Sequence, residues 1–375
     1  MRRILCLFIG ALYLSSCSKS GAGPATPNPP VDTIPTQVVI TDQPDNGKDT
    51  IGNWTLVHHR DVEQLAGWTQ LLVPSPDTAF LVNTAWLPTS AFSVSVDGGK
   101  TWTDERFMVT NNELLCMIDG QTGIGYRKSA GTTGGSDVDA FYWRGPTDVR
   151  YSRLVYNATG IGYLQTSGIS IPSRDFAYVT FTNGESVRLK DPFGGGYVFG
   201  SAGPVPRKVT DLCFPNNVQG WLCTSDGQIM NTKDSSKTWS SQLSVSGTGF
   251  SQIYFIDDKN GWASSYNNSI YKTTDGGVTW NKIAVPGITS SMVRFAFTST
   301  SRGFFIAGRE VYETSDGGST WRRSCKMGKE GFQSITRQGN RVYVLSLGTE
   351  TRTTPINGGG TSTSSWTYAT ILRYL

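Results

Sequence analysis

The sequence predicts an all-β chain folded as a seven-bladed β-propeller of four-stranded antiparallel blades, with the last blade closed by an N-terminal strand. Three observations predict this: a tight-turn motif at fixed spacing, a strand-turn-strand element upstream of each copy, and a C-terminus that stops one strand short. The turn motif reads AFSVSVDGGKTW at 91–102, IYKTTDGGVTW at 270–280 and VYETSDGGSTW at 311–321. In each copy the carboxylate of Asp97, Asp275 or Asp316 can accept backbone N–H groups. The glycine pairs Gly98-Gly99, Gly276-Gly277 and Gly317-Gly318 supply positive φ, and Trp102, Trp280 or Trp321 opens the next strand.

A further copy, IMNTKDSSKTW, keeps Asp234 and Trp239 but has Ser235 and Ser236 in place of the glycines. Asp234, Asp275 and Asp316 are 41 residues apart, whereas 137 residues separate Asp97 from Asp234. Two eroded copies therefore belong in that gap, at Asp191 in SVRLKDPFGG and at Asp148 after AFYWRGPT. The upstream element is an apolar strand, a polar turn, then Gly or Ala before an aromatic, as in LCFPNNVQGWLCT (212–224) and IYFIDDKNGWASS (253–265). Six units carry it. A seventh is begun by SITRQGNRVYVLSLG (334–348) and ATILRYL (369–375), and NWTLVHH at 53–59 resembles the strand that follows a clip. That strand is expected to complete the last blade.

Composition agrees. The chain has 375 residues, 43 of them Gly, and no sustained helical period of apolar residues. The formal charge of +4 falls to about +2 without Arg2 and Arg3, and no basic stripe is evident, which argues against nucleic acid as a partner.

Residues 1–16 read as an export signal, with Arg2 and Arg3 ahead of an apolar run, Ile4–Leu14, too short to span a bilayer as a helix. Leu14-Ser15-Ser16-Cys17 resembles the bacterial lipobox, which implies lipidation of Cys17, a membrane partner through that anchor, and a place in the bacterial cell envelope at the outer membrane. Residues 17–52, with six prolines after Cys17, read as a tether that in extended form reaches roughly 100 Å. The propeller is assigned to 53–375. Cys213 and Cys223 lie on neighbouring strands of one hairpin, and either pair or remain buried thiols; no cysteine spacing suggests a zinc site, and no cofactor or metal is expected.

The clips resemble the Asp-box, or BNR repeat, and together with the Gly-aromatic element the chain over about 53–375 looks like the Ycf48-like family, related to photosystem II assembly factors. In such families the box is structural and peripheral, which implies that Asp97, Asp234, Asp275 and Asp316 are not catalytic acids. A sialidase would need an Arg-Ile-Pro motif, and the nearest match, Ser170-Ile171-Pro172, lacks the arginine. A glycoside hydrolase needs only two facing carboxylates, and Asp104, Glu105, Asp137, Asp139 and Glu350 keep that alternative open. His58 and His59, the only histidines, are adjacent on a strand and point to opposite faces, so they cannot chelate one metal together.

Three loops between second and third strands stand out: 82–90, 127–139 and 346–366, in neighbouring blades one, two and seven, on the face opposite the clips. Trp86, Arg127, Lys128, Arg352 and Trp366 are the candidate binding residues there, suited to a protein or glycan partner. Arg322, Arg323, Lys326 and Lys329 read as a basic inter-blade loop on the same face. The sequence thus predicts a non-catalytic binding or assembly module, with a carbohydrate-active enzyme as the alternative.

Overall fold

The computed structural model describes residues 13–16, 36–37, 40–41, 53–61, 69–83, 91–106, 112–128, 136–143, 149–157, 166–181, 183–194, 204–285, 288, 293–328, 330–356 and 360–374. Among them the strands form seven sheets in the order of a β-propeller. Six have four consecutive antiparallel propeller strands: sheet 1 (69–106), sheet 2 (112–157), sheet 4 (209–244), sheet 5 (250–284), sheet 6 (293–326) and sheet 7 (331–374 with 54–61). Sheet 3 (166–190) has three described strands. Asp191 follows its third strand, Ser186–Lys190, as the repeat spacing predicts, while Asp148 lies outside the described residues.

Burial explains the strand compositions. The innermost strands Val209–Phe214 and Phe250–Phe255 are buried at every residue, because sheets flank both of their faces. The outer strand Ser240–Ser244 is buried only at Leu243, and its remaining residues are Ser and Gln.

The Gly-aromatic element joins one sheet to the next. Phe214, Phe255 and Phe297 end the innermost strands of sheets 4, 5 and 6. On one side each ring lies over Gly220, Gly261 or Gly303 of its own sheet, where an added Cβ would stand 2.5, 2.5 or 2.2 Å from the ring. On the other side it stacks on an aromatic of the preceding sheet: Tyr178 on Phe214 at 3.7 Å, Trp221 on Phe255 at 3.7 Å, and Trp262 on Phe297 at 3.6 Å. The clip tryptophans Trp239, Trp280 and Trp321 meet the same rings edge-on. Glycine is required because a side chain there would displace the ring that the neighbouring sheet grips.

A belt of buried polar side chains runs around the innermost strands. Phe214 N–H donates to Ser170 Oγ (3.0 Å), Ile253 N–H to Asp211 Oδ2 (2.9 Å), Phe295 N–H to Gln252 Oε1 (2.9 Å) and Leu71 N–H to Ser334 Oγ (3.3 Å). Each bond crosses from one sheet to the next, and the last joins sheet 7 to sheet 1. Backbone N–H groups on the inner strands are thereby satisfied away from water. Arg294 holds the equivalent position in sheet 6 and is buried.

Sheet 7 is completed by the N-terminal strand. Trp54–Asp61 runs antiparallel to the C-terminal strand, with Trp54 opposite Tyr374 and Asp61 opposite Tyr368. Trp54 Nε1 donates to Ser324 Oγ (2.9 Å) and Tyr374 Oη to Glu313 Oε1 (3.2 Å), fastening both of these paired strands to sheet 6. Three shorter N-terminal strands add in parallel to open sheet edges: Tyr13–Ser16 along Asp211–Phe214, Thr36–Gln37 along Ile283–Ala284, and Ile40–Thr41 along Trp321–Arg322. The tether expected over 17–52 therefore touches the outer strands of sheets 5 and 6.

Two expectations are corrected. The segment 346–366 is not a loop: Arg341–Ile356 and Gly360–Tyr374 pair without a break from Val342↔Tyr374 to Ile356↔Gly360. Alternating Thr and Ser suits an extended backbone as well as a flexible one, and cross-strand pairing decides between them. Arg322, Arg323 and Lys326 do not form an inter-blade loop either. They lie on the outer strand Trp321–Lys326, where Arg322 pairs with Glu313 (3.1 Å), Arg323 with Glu310 (3.1 Å) and Lys326 with Glu310 (4.0 Å). Lys329 lies outside the described residues.

Candidate functional site

The clips are closed structural units. Asp275 Oδ1 accepts from Thr279 N–H (2.9 Å) and Thr273 Oγ1 (2.8 Å), Oδ2 accepts from Thr279 Oγ1 (2.6 Å), and Gly277 N–H donates to Thr273 Oγ1 (2.8 Å). Asp316 repeats the pattern with Thr320 and Thr314, Asp234 with Thr238 and Thr232, and Asp97 with Thr101 and Ser95. The glycines take φ values from 71° to 91°, and Ser235 and Ser236 adopt 63° and 68°, so the clip at Asp234 keeps its shape without glycine.

The clips at Asp275 and Asp316 are each tied to their own sheet and to the one before it. Gly276 N–H donates to Lys259 O (2.9 Å), while its carbonyl accepts from Trp221 Nε1 (3.2 Å). Gly317 does the same with Ser301 O (2.6 Å) and Trp262 Nε1 (3.2 Å). Clips and first-to-second turns accordingly share one face of the propeller, and second-to-third connections lie on the other.

These bonds hold the clip carboxylates ionised. For Asp97, the hydroxyl and N–H of Thr101 keep the acid well below the usual range. Partial burial raises the Asp234, Asp275 and Asp316 acids, but hydrogen bonds from Thr238, Thr279 and Thr320 outweigh it and the net direction is downward. A carboxylate so engaged is a poor general acid.

Buried carboxylates elsewhere are also engaged. Asp211 accepts from Leu212 N–H (2.9 Å) as well as Ile253 N–H; burial raises its acid well above the ordinary value, partly offset by those donors and by Arg294. Glu313 accepts from Arg302, Arg322 and Tyr374, and Glu330 from Ser346 and Thr370. The side chains of Asp104, Glu105, Asp137, Asp139 and Glu350 lie outside the described residues. Among the described residues no group of three or more His, Cys, Asp or Glu side chains is placed to hold a metal, and Cys223 and Cys325 are buried and form no disulfide, so Cys223 is not bridged to Cys213. His58 and His59 stand opposite Ile371 and Thr370, adjacent on one strand.

The sheet 7 ribbon lies on the face opposite the clips. Its two strands leave the sheet after Leu347 and before Tyr368, since the flanking strands pair no further than Gly331↔Leu347 and Tyr368↔Asp61. Pairing then continues for nine residues on one side, Gly348 to Ile356, and eight on the other, Gly360 to Thr367, a reach of about 25 Å beyond the sheet. Thr349, Thr351 and Thr353 stand opposite Thr367, Ser365 and Thr363, making a ladder of hydroxyl residues along one face. Arg352, opposite Ser364, and Trp366, opposite Glu350, belong to the other face.

Arg127 and Lys128 also lie on a strand, Thr122–Lys128, opposite Asp137 and Ser136, so the ends of the segment expected as a loop over 127–139 are paired strand, and 129–135 lie outside the described residues. Trp86 and Cys17 lie outside the described residues. Sequence reasoning missed the polar belt of Asp211, Gln252 and Arg294. Its signal was a long or charged polar residue, three before the Phe, in each inner strand.

A propeller whose sheets are fastened by Asp-box clips defines the class. Residues 169–311 match the family described as photosynthesis system II assembly factor YCF48, and over that stretch the chain is similar to the BNR-type β-propellers of that family. Among solved structures it is similar to "YCF48 bound to D1 peptide", with a TM-score of 0.57 and 13% identity over 90% of this chain and 99% of that one. U3-55K follows with a TM-score of 0.56 and 11% identity over 84% and 98%, and the WD40 β propeller domain of Doa1 with 0.51 and 11% over 86% and 97%. At these identities the likeness is one of fold. No curated protein sequence matches the chain.

Proposed function

We propose that this protein is an exported, lipid-anchored, non-catalytic assembly module: a closed seven-bladed propeller, held to the cell envelope through Cys17, that binds a protein partner on the face opposite its clips. The observation that carries the reading is the ribbon at 348–367, which projects from a rigid sheet on that face. A site on such a support loses little freedom on binding. Support for a protein partner comes from the similar structure of YCF48 bound to D1 peptide. The engagement of Asp211, Glu313 and Glu330 in hydrogen bonds inside the propeller favours binding over hydrolysis.

Two measurements test the reading. Affinity capture with the full-length protein is compared with a variant trimmed between Gly348 and Thr367; equal recovery of a partner by both removes the ribbon face from consideration, and recovery of a glycan replaces the partner class. Mass spectrometry of the mature N-terminus should find acyl chains on Cys17, and Cys17→Ala should release the protein from membranes. A Cys17→Ala protein that stays membrane-bound refutes the anchor.

A further inference from the structure

The joints between sheets are not equally built. From sheet 4 to 5 and from 5 to 6, the Phe that ends an inner strand covers a Gly of its own sheet and carries a stacked Trp of the sheet before, which also donates to the clip carbonyl. Strand register gives the counterparts at the joint from sheet 7 to sheet 1. Leu72↔Phe80 matches Tyr254↔Trp262, so Val73 stands where sheet 5 has Phe255 and Ala79 where it has Gly261. In sheet 7, Thr336↔Tyr343 puts Tyr343 in the place of Trp262. All three parts of the joint are exchanged.

The exchanges remove contacts. Val73 offers no ring to stack on, and a slot is left between the two sheets on the clip side, lined by Leu71, Val73, Ala79, Trp102, Tyr343 and Ile371. The lining atoms lack the neighbours that a Phe ring would supply. Tyr343 has no indole N–H, and among the described residues no side chain donates to the carbonyl of Gly98, the counterpart of Gly276 and Gly317. The joint keeps an aliphatic cluster that includes Leu71, Leu81, Leu345 and Ile371, a His58–Trp102 ring contact at 5.5 Å, and the bond from Leu71 N–H to Ser334 Oγ at 3.3 Å. The matching bonds from Ile253 and Phe295 are 2.9 Å. On its other side, sheet 7 is fastened to sheet 6 by the bonds of Trp54 and Tyr374 to Ser324 and Glu313, and by both rings against Phe304 at 5.6 and 4.8 Å.

We propose that the joint between sheets 7 and 1 is a seam at which the ring opens locally, letting sheet 7 and its ribbon move against sheet 1 while sheets 4 to 7 stay joined. The inference depends on the fold alone and needs neither the lipid anchor nor a partner. Local opening falls where buried contacts are fewest, and stacking together with a hydrogen bond is what the other joints have and this one lacks. The N–H of Leu71 is a reporter built into the seam, because its acceptor belongs to the opposite sheet. Ile253 and Phe295 report in the same way on the joints from sheet 4 to 5 and from 5 to 6.

The test is amide hydrogen exchange of the full-length protein in detergent, resolved residue by residue, in urea below the unfolding transition. Leu71 should exchange at least about tenfold faster than Ile253 and Phe295, at a rate that urea hardly changes, since a parted joint exposes little surface. The amides of Ala79–Asn83, paired within sheet 1, should stay as protected as Ile253. Equal rates at Leu71, Ile253 and Phe295 with one shared urea dependence overturn the seam. Exchange of Ala79–Asn83 together with Leu71 also overturns it, by assigning the opening to unfolding of sheet 1. Val73→Phe combined with Ala79→Gly restores the ring and the space beneath it, and should slow Leu71 about tenfold while leaving Ile253 unchanged. Unaltered exchange at Leu71 in that variant, at an unlowered melting temperature, overturns the missing ring as the cause. Where the variant melts lower, the urea dependence of the wild-type protein decides.

Discussion

Trp262 Nε1 donates to the carbonyl of Gly317 across 3.2 Å, which ties the second strand of sheet 5 to the clip of sheet 6. The same indole stacks at 3.6 Å on Phe297. Two sequence motifs that look independent are therefore the two halves of one joint, and the propeller's stability is expected to lie in these joints.

Trp262→Phe keeps an aromatic ring for stacking and loses the bond to Gly317, at an expected cost of about 1 kcal/mol. Trp262→Ala loses both and is expected to cost about 3–5 kcal/mol. Urea denaturation midpoints at constant m-value provide the check.

Gly261→Ala tests the other side of the joint. The new methyl would stand 2.5 Å from the Phe255 ring, which Trp221 prevents from moving away. A loss of about 1–3 kcal/mol is expected, and Phe255→Leu in the same chain should recover part of it. Thermal melting of the single and double variants measures the coupling.

The clips predict an acid limb to stability. The folded acids of Asp234, Asp275 and Asp316 are lowered, so the unfolded chain takes up protons first. The clip contribution is complete above the ordinary aspartate value, about 3.9, and is lost as pH falls through the lower folded values. Asp275→Asn with Asp316→Asn should lower stability near neutrality, by about 1 kcal/mol each after allowing for solvent exposure, and flatten the melting curve below about pH 4.

Asp211 responds in the opposite sense, because burial raises its acid: its ionised form is the costly one, and its contribution weakens as pH rises from the unfolded value toward the folded one. Asp211→Ala leaves the N–H groups of Ile253 and Leu212 without their acceptor and is expected to cost about 2–5 kcal/mol. Asp211→Asn retains an acceptor oxygen and should cost less. Hydrogen exchange at Ile253 distinguishes the two variants.

The sequence by itself determined the repeating parts. Asp97, Asp234, Asp275 and Asp316, with their turns and tryptophans, are legible because the clip's turn is local: the hydrogen bonds of its carboxylate fall within a few residues, so spacing alone reveals it. The closing strand at Trp54 was legible for a related reason, since it continues a pattern that the C-terminus leaves short. Tertiary structure decided the rest. Arg322 and Arg323 read as a basic patch until Glu313 and Glu310, on the adjacent strand, neutralised them. Residues 346–366 read as a loop because Thr, Ser and Gly carry no apolar alternation, and only the pairing of Thr349–Pro355 with Thr361–Thr367 makes them a ribbon. Asp211 and Ile253 are 42 residues apart, and no local pattern announces that the carboxylate of one sheet will satisfy the backbone of the next. Local geometry is written in neighbouring residues, whereas burial and edge pairing depend on which distant strands the closed ring brings together.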